Sequence, residues 1–325
     1  MANLVITGGG GFIGSHLTEE LLQRGHEVTV FDNAELEKLR NIQHLKTNER
    51  FHFVKGDITG NGMKDVITED IDVVYHLAAV VGVKNYCEDP LGTVSVNILG
   101  TKNVAEAAMK HGTKVIYTST SEVFGKNPKV PWKEDDDRVV GSTKVDRWTY
   151  STSKSMSEHM LFALNRMHGL PVTIVRYFNV YGPRQAPIFM IPACLRRILR
   201  NERPLIYDGG TPTRCFTYVK DAIEGTLLAA ESKKAEGHAF NIGSMKERTL
   251  NETAQLMLKA AGREDLGVEY VDTRKLYGSI YEDIPRRVPD AGKAKAMLGW
   301  EATTSLEEGI REMIAWCRQN RWWFE

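Results

Sequence analysis

Short runs in which almost every position is apolar or β-branched recur through the first half of the chain. They are NLVIT (3–7), EVTVFD (27–32), FHFVKGD (51–57), DVVYHLAA (72–79), KVIYTST (114–120) and VTIVRYFN (172–179). Apolar through their length, they read as strands covered on both faces. Helix-length segments at 14–25, 93–111 and 149–168 lie between several of them. Alternation of strand and helix implies right-handed crossovers and a parallel sheet, and the later run HAFNIGS (238–244) is expected in the same sheet. The remainder has a different texture: prolines and glycines cluster in YGPRQAP and YDGGTPTR, with helical spacing at 190–201, 249–262 and 304–319. The expected architecture is α/β, a doubly wound parallel sheet with a smaller mixed α/β C-terminal substrate lobe. The first domain takes 1–180 and about 215–243, and the second takes 181–214 and 244–325.

Composition narrows the function classes. Lysine plus arginine equal aspartate plus glutamate at 42 each in 325 residues, so no overall field draws the protein to nucleic acid or to an anionic membrane. The run KEDDDR (133–138) reads as a solvated loop, not as a metal site. Cys87, Cys194, Cys215 and Cys317 are scattered without CxxC spacing, which argues against a disulfide framework or a zinc site. His76 and His159 read as packing or surface residues, so no metal is expected. No apolar run reaches the length of a membrane span, and the first one has no basic segment before it; a cytoplasmic protein is expected.

The first strand runs into TGGGGFIGSH, which satisfies Gly9-x-Gly11-x-x-Gly14 and Gly8-x-x-Gly11-x-x-Gly14. Glycines there let the backbone turn and approach a pyrophosphate, whose charge faces the free N–H groups of the following helix. Asp32 ends the second strand 18 residues after Gly14, the spacing at which a carboxylate takes adenosine ribose hydroxyls. Its charge repels a 2′-phosphate, and Asn33 follows instead of an arginine, so NAD is expected over NADP.

Candidate chemistry lies further on. Tyr150 and Lys154 are four apart in YSTSK and share one helical face. An ammonium beside a phenol lowers the phenol's pKa and makes tyrosine usable as a base. The strand end TSTSEVFG (118–125) places hydroxyls and Glu122 at the same end of the sheet.

With HLAA, Asn97 in VNILGTKNV, TSTSEVFG, YSTSK and RYFNVYGPR added to the glycine loop, the chain resembles the extended short-chain dehydrogenase/reductase family acting on nucleotide sugars. The resemblance runs nearly the whole length, to RRVPDAGKAKAMLGW. It implies a Rossmann domain with NAD, a C-terminal lobe gripping a nucleoside diphosphate sugar, oxidation at C4 as the first step, and a homodimer through a four-helix bundle. It implies NAD contacts from Gly8, Gly11, Phe12, Ile13, Gly14, Asp32, Asn33, Asp57, Ile58, Leu77, Ala78 and Ala79. Tyr150 would be the base, Lys154 its electrostatic partner and a ribose contact, Thr120 a hydrogen-bond partner of the sugar hydroxyl, and Asn97 a support for the Lys154 helix. Asn179, Arg214 and Arg287 match substrate positions, and two guanidinium forks suit a diphosphate.

Within that family, Ser121 stands where hexose 4,6-dehydratases commonly have an acidic Asp, and plain 4-epimerases usually lack a carboxylate at Glu122. The pair Ser121–Glu122, with Arg147 three residues before Tyr150, resembles UDP-glucuronate decarboxylases, in which a cation near the sugar suits a carboxylate-bearing substrate. Glu122 and Arg214 would then position the ring and help reprotonate C5. The alternatives are a nucleotide-sugar 4-epimerase, then a 4,6-dehydratase; a catalytically silent NAD-sensing protein is the non-enzyme reading.

Overall fold

The structure is a computed structural model and describes residues 1–272 and 284–325. Seven strands form its central sheet: β1 (Asn3–Thr7), β2 (Glu27–Asp32), β3 (Phe51–Lys55), β4 (Val73–His76), β5 (Lys114–Thr120), β6 (Val172–Tyr177) and β7 (His238–Ile242). The order is β3-β2-β1-β4-β5-β6-β7, and every pairing is parallel. Strand order reverses between β1 and β4, which opens the crevice at the carboxyl ends where such sheets bind ligands. The HAFNIGS run does join this sheet, pairing with β6 from His238↔Thr173 to Ile242↔Tyr177.

One strand departs from the pattern. FHFVK lies at the sheet edge with His52, Val54 and Lys55 exposed, so it is not covered on both faces.

The principal helices are α1 (Phe12–Gln23), α2 (Gly100–His111), α3 (Arg147–His168), α4 (Met190–Leu199), α5 (Val219–Glu231), α6 (Leu250–Ala261) and α7 (Leu306–Gln319). Hydrophobic spacing does not reveal α5, because much of its buried face is spelled in small residues: Ala222, Gly225, Thr226, Ala229 and Ala230. Its outer face is tied to α1 by Arg24, which pairs with Glu224 at 2.9 Å and Glu231 at 3.1 Å. The α6 helix starts where the sequence says it should: Thr249 and Glu252 form a reciprocal capping box.

Between β4 and α2 the chain is helical but uneven. Pro90–Val94 is α-helical, Ser95–Leu99 is a π-helical turn, and α2 follows. In this stretch the Asn97 carbonyl accepts from the Ser157 hydroxyl on α3 at 3.0 Å and from the Thr101 hydroxyl at 2.6 Å.

The second half adds small sheets beside the crevice. Thr213–Cys215 is flanked by Glu247–Thr249, antiparallel, and Arg286–Arg287, parallel. The largest apolar cluster runs without a break from Leu4 and Val28 in the sheet to Leu195, Met257 and Met313 beyond it. One apolar core therefore joins the sheet to the segments beyond it. Among the described residues, no helix is long and apolar enough to cross a membrane.

Candidate active site

The cofactor end is built by the glycine loop between β1 and α1. Gly8 has φ +71°, and a Cβ there would lie 2.9 Å from both the Cα and the N of Ala78. A Cβ on Gly14 would lie 2.3 Å from the Gly8 carbonyl oxygen. Only glycine lets the β1 and β4 ends come this close, which puts Leu77, Ala78 and Ala79 along the same crevice. The α1 N-terminus carries no side-chain cap, so its first N–H groups face the loop as an anion seat. Asp32 accepts from the Gly10 N–H at 3.1 Å and from Ala34 N–H at 3.3 Å, which fixes its carboxylate beside the loop.

The other expected cofactor residues are spread around this crevice. Phe12, Ile13 and the Leu77–Ala79 segment are partly buried, and Asn33 is exposed. Asp57 closes an Asx turn, accepting from the backbone and the hydroxyl of Thr59, each at 2.8 Å. The Ile58 side chain lies in an apolar cluster with Met63 and Val104, against Gly100. These residues fit a dinucleotide with an anionic middle and a free ribose.

The chemical end starts at the last residues of β5. Thr118 donates to the His76 carbonyl at 3.1 Å, and Ser119 donates to Glu158. Thr120 caps the 3₁₀ turn Ser121–Phe124, accepting from the Glu122 N–H at 3.2 Å. Gly125 ends the turn at φ +61°, where a Cβ would lie 2.2 Å from the Val139 carbonyl oxygen. Ser121 is buried at 2% exposure.

Glu122 is held from two sides. The Arg147 guanidinium meets its carboxylate as a fork, at 2.9 Å to Oε1 and 2.6 Å to Oε2, and Arg287 reaches Oε1 as well. Arg147 is 0% exposed. Burial by itself raises the Glu122 carboxyl; the charges and hydrogen bonds of Arg147 and Arg287 outweigh it and take the pKa down to about 2. Arg287 stands in register with Arg214 on the neighbouring strand. Arg214 is buried and donates to the Thr213 carbonyl at 2.7 Å, and Asn179, at φ 40°, donates to the Cys215 carbonyl at 3.3 Å.

Tyr150 and Lys154 are both buried on α3. Among the protein's own groups, burial drives the Tyr150 phenol well above its ordinary value and the Glu122 charge pushes it further; the Thr120 hydrogen bond and Arg147 pull it down. Burial lowers Lys154 to about 7, against the opposing charge of Glu158. Its ammonium lies 4.2 Å from the centre of the Tyr117 ring.

Sequence reasoning missed three neighbours. The Tyr86 ring stacks on Tyr150, with centroids 5.4 Å apart and planes 9° from parallel, and carries the Arg147 guanidinium at 5.7 Å. Glu158 and Arg176 form a buried pair behind Lys154. The spacing of Glu158, one turn after Lys154, was the available signal for it; Tyr86 gives none. Asn97 does reach α3, donating to Ser153 at 3.0 Å while accepting from the Val80 N–H at 3.0 Å. His76 is a core residue between the hydroxyls of Thr7 at 2.7 Å and Thr101 at 3.0 Å.

Against known proteins, residues 5–313 match the family described as GDP-mannose 4,6 dehydratase. A UDP-N-acetyl-alpha-D-glucosaminuronate decarboxylase of Bacillus cytotoxicus is 42% identical over 97% of this chain and 97% of its own length. UDP-glucuronic acid decarboxylase 1 of Xenopus tropicalis is 32% identical, covering 98% of this chain and 72% of that protein. The solved UDP-glucuronic acid 4-epimerase of Bacillus cereus, in complex with UDP-glucuronic acid and NAD, superposes with a TM-score of 0.88 at 31% identity, covering 98% and 99% of the two chains.

Proposed function

The chain belongs to the GDP-mannose 4,6-dehydratase family of NAD-dependent nucleotide-sugar enzymes, and on that premise we propose that it decarboxylates a UDP-linked hexuronate, either UDP-glucuronate or its 2-acetamido counterpart. The observation that carries this reading is the buried Arg147–Glu122–Arg287 cluster beside Tyr150. Two guanidinium groups and one carboxylate leave a net positive charge where the sugar would sit, and an anionic sugar gains from it as a neutral one does not.

In this reading Gly8, Gly11, Gly14 and the α1 N-terminus hold the pyrophosphate of NAD, Asp32 holds the adenosine ribose, and Leu77, Ala78 and Ala79 line the nicotinamide side. When bound, NAD accepts the electron pair leaving C4 and returns it at the end of the cycle. Tyr150, as phenolate, takes the C4 hydroxyl proton, and Thr120 shares that hydrogen bond. Lys154 steadies the phenolate and the nicotinamide ribose. The resulting 4-keto uronate is a β-keto acid, so the bond to its carboxyl carbon can break with its electrons moving into an enolate. Arg214 and Arg287 hold the diphosphate and the ring, and Asn179 and Ser121 border the sugar. Arg147 keeps Glu122 ionised. A carboxylate held this low is an acceptor at neutral pH, so Glu122 orients the ring or a water that delivers the C5 proton; it does not itself donate.

A uronate 4-epimerase is the second reading, favoured by the superposition on the Bacillus cereus enzyme. The test is to incubate the protein with UDP-glucuronate, UDP-N-acetylglucosaminuronate, UDP-galacturonate and UDP-glucose and to follow products by NMR and mass. Loss of carbon dioxide from a uronate supports decarboxylation, and a new sugar at unchanged mass supports epimerisation. Conversion of the neutral sugar alone would overturn both.

Residues 1–180 with about 215–243 serve as the cofactor half and 181–214 with 244–325 as the substrate half. A homodimer goes with the same reading. The neighbouring helices between Pro90 and His168 expose Leu91 at 79%, Leu99 at 49% and Met156 at 52%, an apolar face suited to a second copy. Met156→Glu should then convert dimer to monomer in light scattering. A cytoplasmic location accords with four free cysteines.

A further inference from the structure

We propose that Glu158 is the positioning residue of this site: it ties the strand end that carries Thr120 to the helix that carries Tyr150 and Lys154, and it supplies the negative charge that answers Lys154. The inference rests on the roles given above to Tyr150 and Lys154.

Thr120 and Tyr150 sit on different elements, β5 and α3, yet must meet one hydroxyl of the sugar. In front, α3 meets the turn after Thr120 through Ser151, which donates to the Glu122 carbonyl at 2.6 Å, and through Arg147; behind them, a carboxylate ties α3 to the strand itself. Glu158 lies one helical turn past Lys154 and is 5% exposed. It accepts from Ser119, the residue before Thr120, and from Arg176 on β6 through Nε at 3.0 Å and Nη2 at 2.6 Å. Arg176 is itself anchored, donating to the Glu134 carbonyl at 2.6 Å. The Glu134 carboxylate in turn accepts from the Asn241 N–H on β7 at 2.8 Å. The expectation of a solvated loop at 133–138 therefore fails at Glu134, which is buried and closes this network. Three parallel strands and the helix are stitched through charge-assisted hydrogen bonds, and a misplacement of about 1 Å at such a site costs roughly a hundredfold in rate.

The electrostatic half follows from what surrounds Lys154. Tyr117 from β5 lies under it and His76 from β4 stands nearby; burial holds His76 neutral at ordinary pH, with its pKa lowered to about 3. Tyr150 shares its helix. The acidic charge that reaches it is Glu158, which Arg176 partly offsets; the Glu134 carboxyl lies on the far side of Arg176. Burial works toward neutral lysine, and Glu158 works against it.

The test compares the NAD-loaded wild-type protein with Glu158→Gln, Glu158→Asp and Ser119→Ala, turning over whichever uronate is the substrate across the pH range. In Glu158→Gln the alkaline limb of kcat should move to lower pH by at least about half a unit, because Lys154 loses its answering charge. Its affinity for NAD, read by tryptophan fluorescence, should weaken at pH 8 more than at pH 6. Ser119→Ala should lower kcat with the limb unmoved. A folded Glu158→Gln protein whose pH profile and NAD affinity overlay those of the wild type overturns the proposal. Should Glu158→Gln fail to fold, Glu158→Asp decides: retained limb with kcat reduced about tenfold or more supports it, and unchanged kcat overturns it. Tyr150→Phe runs alongside. If it turns over normally, the reading of the catalytic pair falls, and the result bears on that reading instead of on Glu158.

Discussion

Arg147 and Glu122 meet as a forked pair with no solvent exposure on the arginine, 2.6 and 2.9 Å between their atoms, although 25 residues separate them. A pair so deeply buried is expensive to break from one side. Arg147→Met should lower the free energy of unfolding by about 3–5 kcal/mol, because Glu122 keeps a buried charge with one partner gone. Urea unfolding at pH 7 measures it. Adding Glu122→Met should recover at least half of that loss while leaving turnover abolished, which separates the cluster's contribution to folding from its contribution to chemistry.

The phenol of Tyr150 is held far from its charged form by burial, and removing its oxygen relieves a desolvated polar group. Tyr150→Phe should therefore keep the wild-type melting temperature and bind NAD, yet lose turnover by about a factor of 10²–10⁴. Single-turnover spectra at 340 nm should show no reduced cofactor.

His76 predicts a slope in stability with pH. Its folded pKa, about 3, lies below the ordinary 6.5, so the unfolded chain takes up a proton first as pH falls. Stability is whole above about pH 6.5 and declines below it by up to about 1.4 kcal/mol per pH unit until the folded pKa is reached. Glu122 adds to the decline only below its ordinary 4.5. His76→Gln should reduce the slope of urea-unfolding free energy between pH 6.5 and 5, whatever it does to the absolute value; His16, which burial lowers to about 4, supplies part of what remains.

Asp32 fastens the glycine loop through the Gly10 N–H and stands where the adenosine ribose is expected. Asp32→Ala should raise the NAD dissociation constant about tenfold, roughly 1.4 kcal/mol, and narrow the preference over NADP. Fluorescence titration with both cofactors checks it.

What was legible in the chain depends on how much of each feature is local. NLVIT, EVTVFD and KVIYTST coincide with strands residue for residue, because a buried parallel strand writes itself as an unbroken apolar run. FHFVK reads the same way and yet lies at an edge; alternation between one covered and one open face is too short there to see. The buried face of α5, rich in alanine and glycine, has too little hydrophobic contrast to mark a helix, though Ala222, Gly225 and Ala229 are buried. The glycine loop, Asp32, Tyr150 and Lys154 could be found from spacing. That Glu122 would be claimed by two arginines could not, since Arg287 arrives from 165 residues away. Tyr86 and Glu134 gave no sign either, as an aromatic in a short helix and a carboxylate in an acidic run have ordinary surface explanations.

The π-helical turn at Ser95–Leu99 acts as a phase shifter. Each residue of an α-helix advances the direction of its side chain by about 100°. One extra residue held in a wide turn therefore rotates Pro90–Val94 relative to α2 without interrupting the rod. Deleting Ile98 would leave every neighbouring contact type in the sequence but dial the upstream segment round its axis, so that Leu91 would point in a new direction while α2 kept its seat on the sheet. The same deletion would turn Asn97 with that segment and carry its carbonyl away from Ser157. A single inserted residue thus sets, at one place, both which way the outer surface faces and how firmly the helix of Tyr150 and Lys154 is gripped from behind.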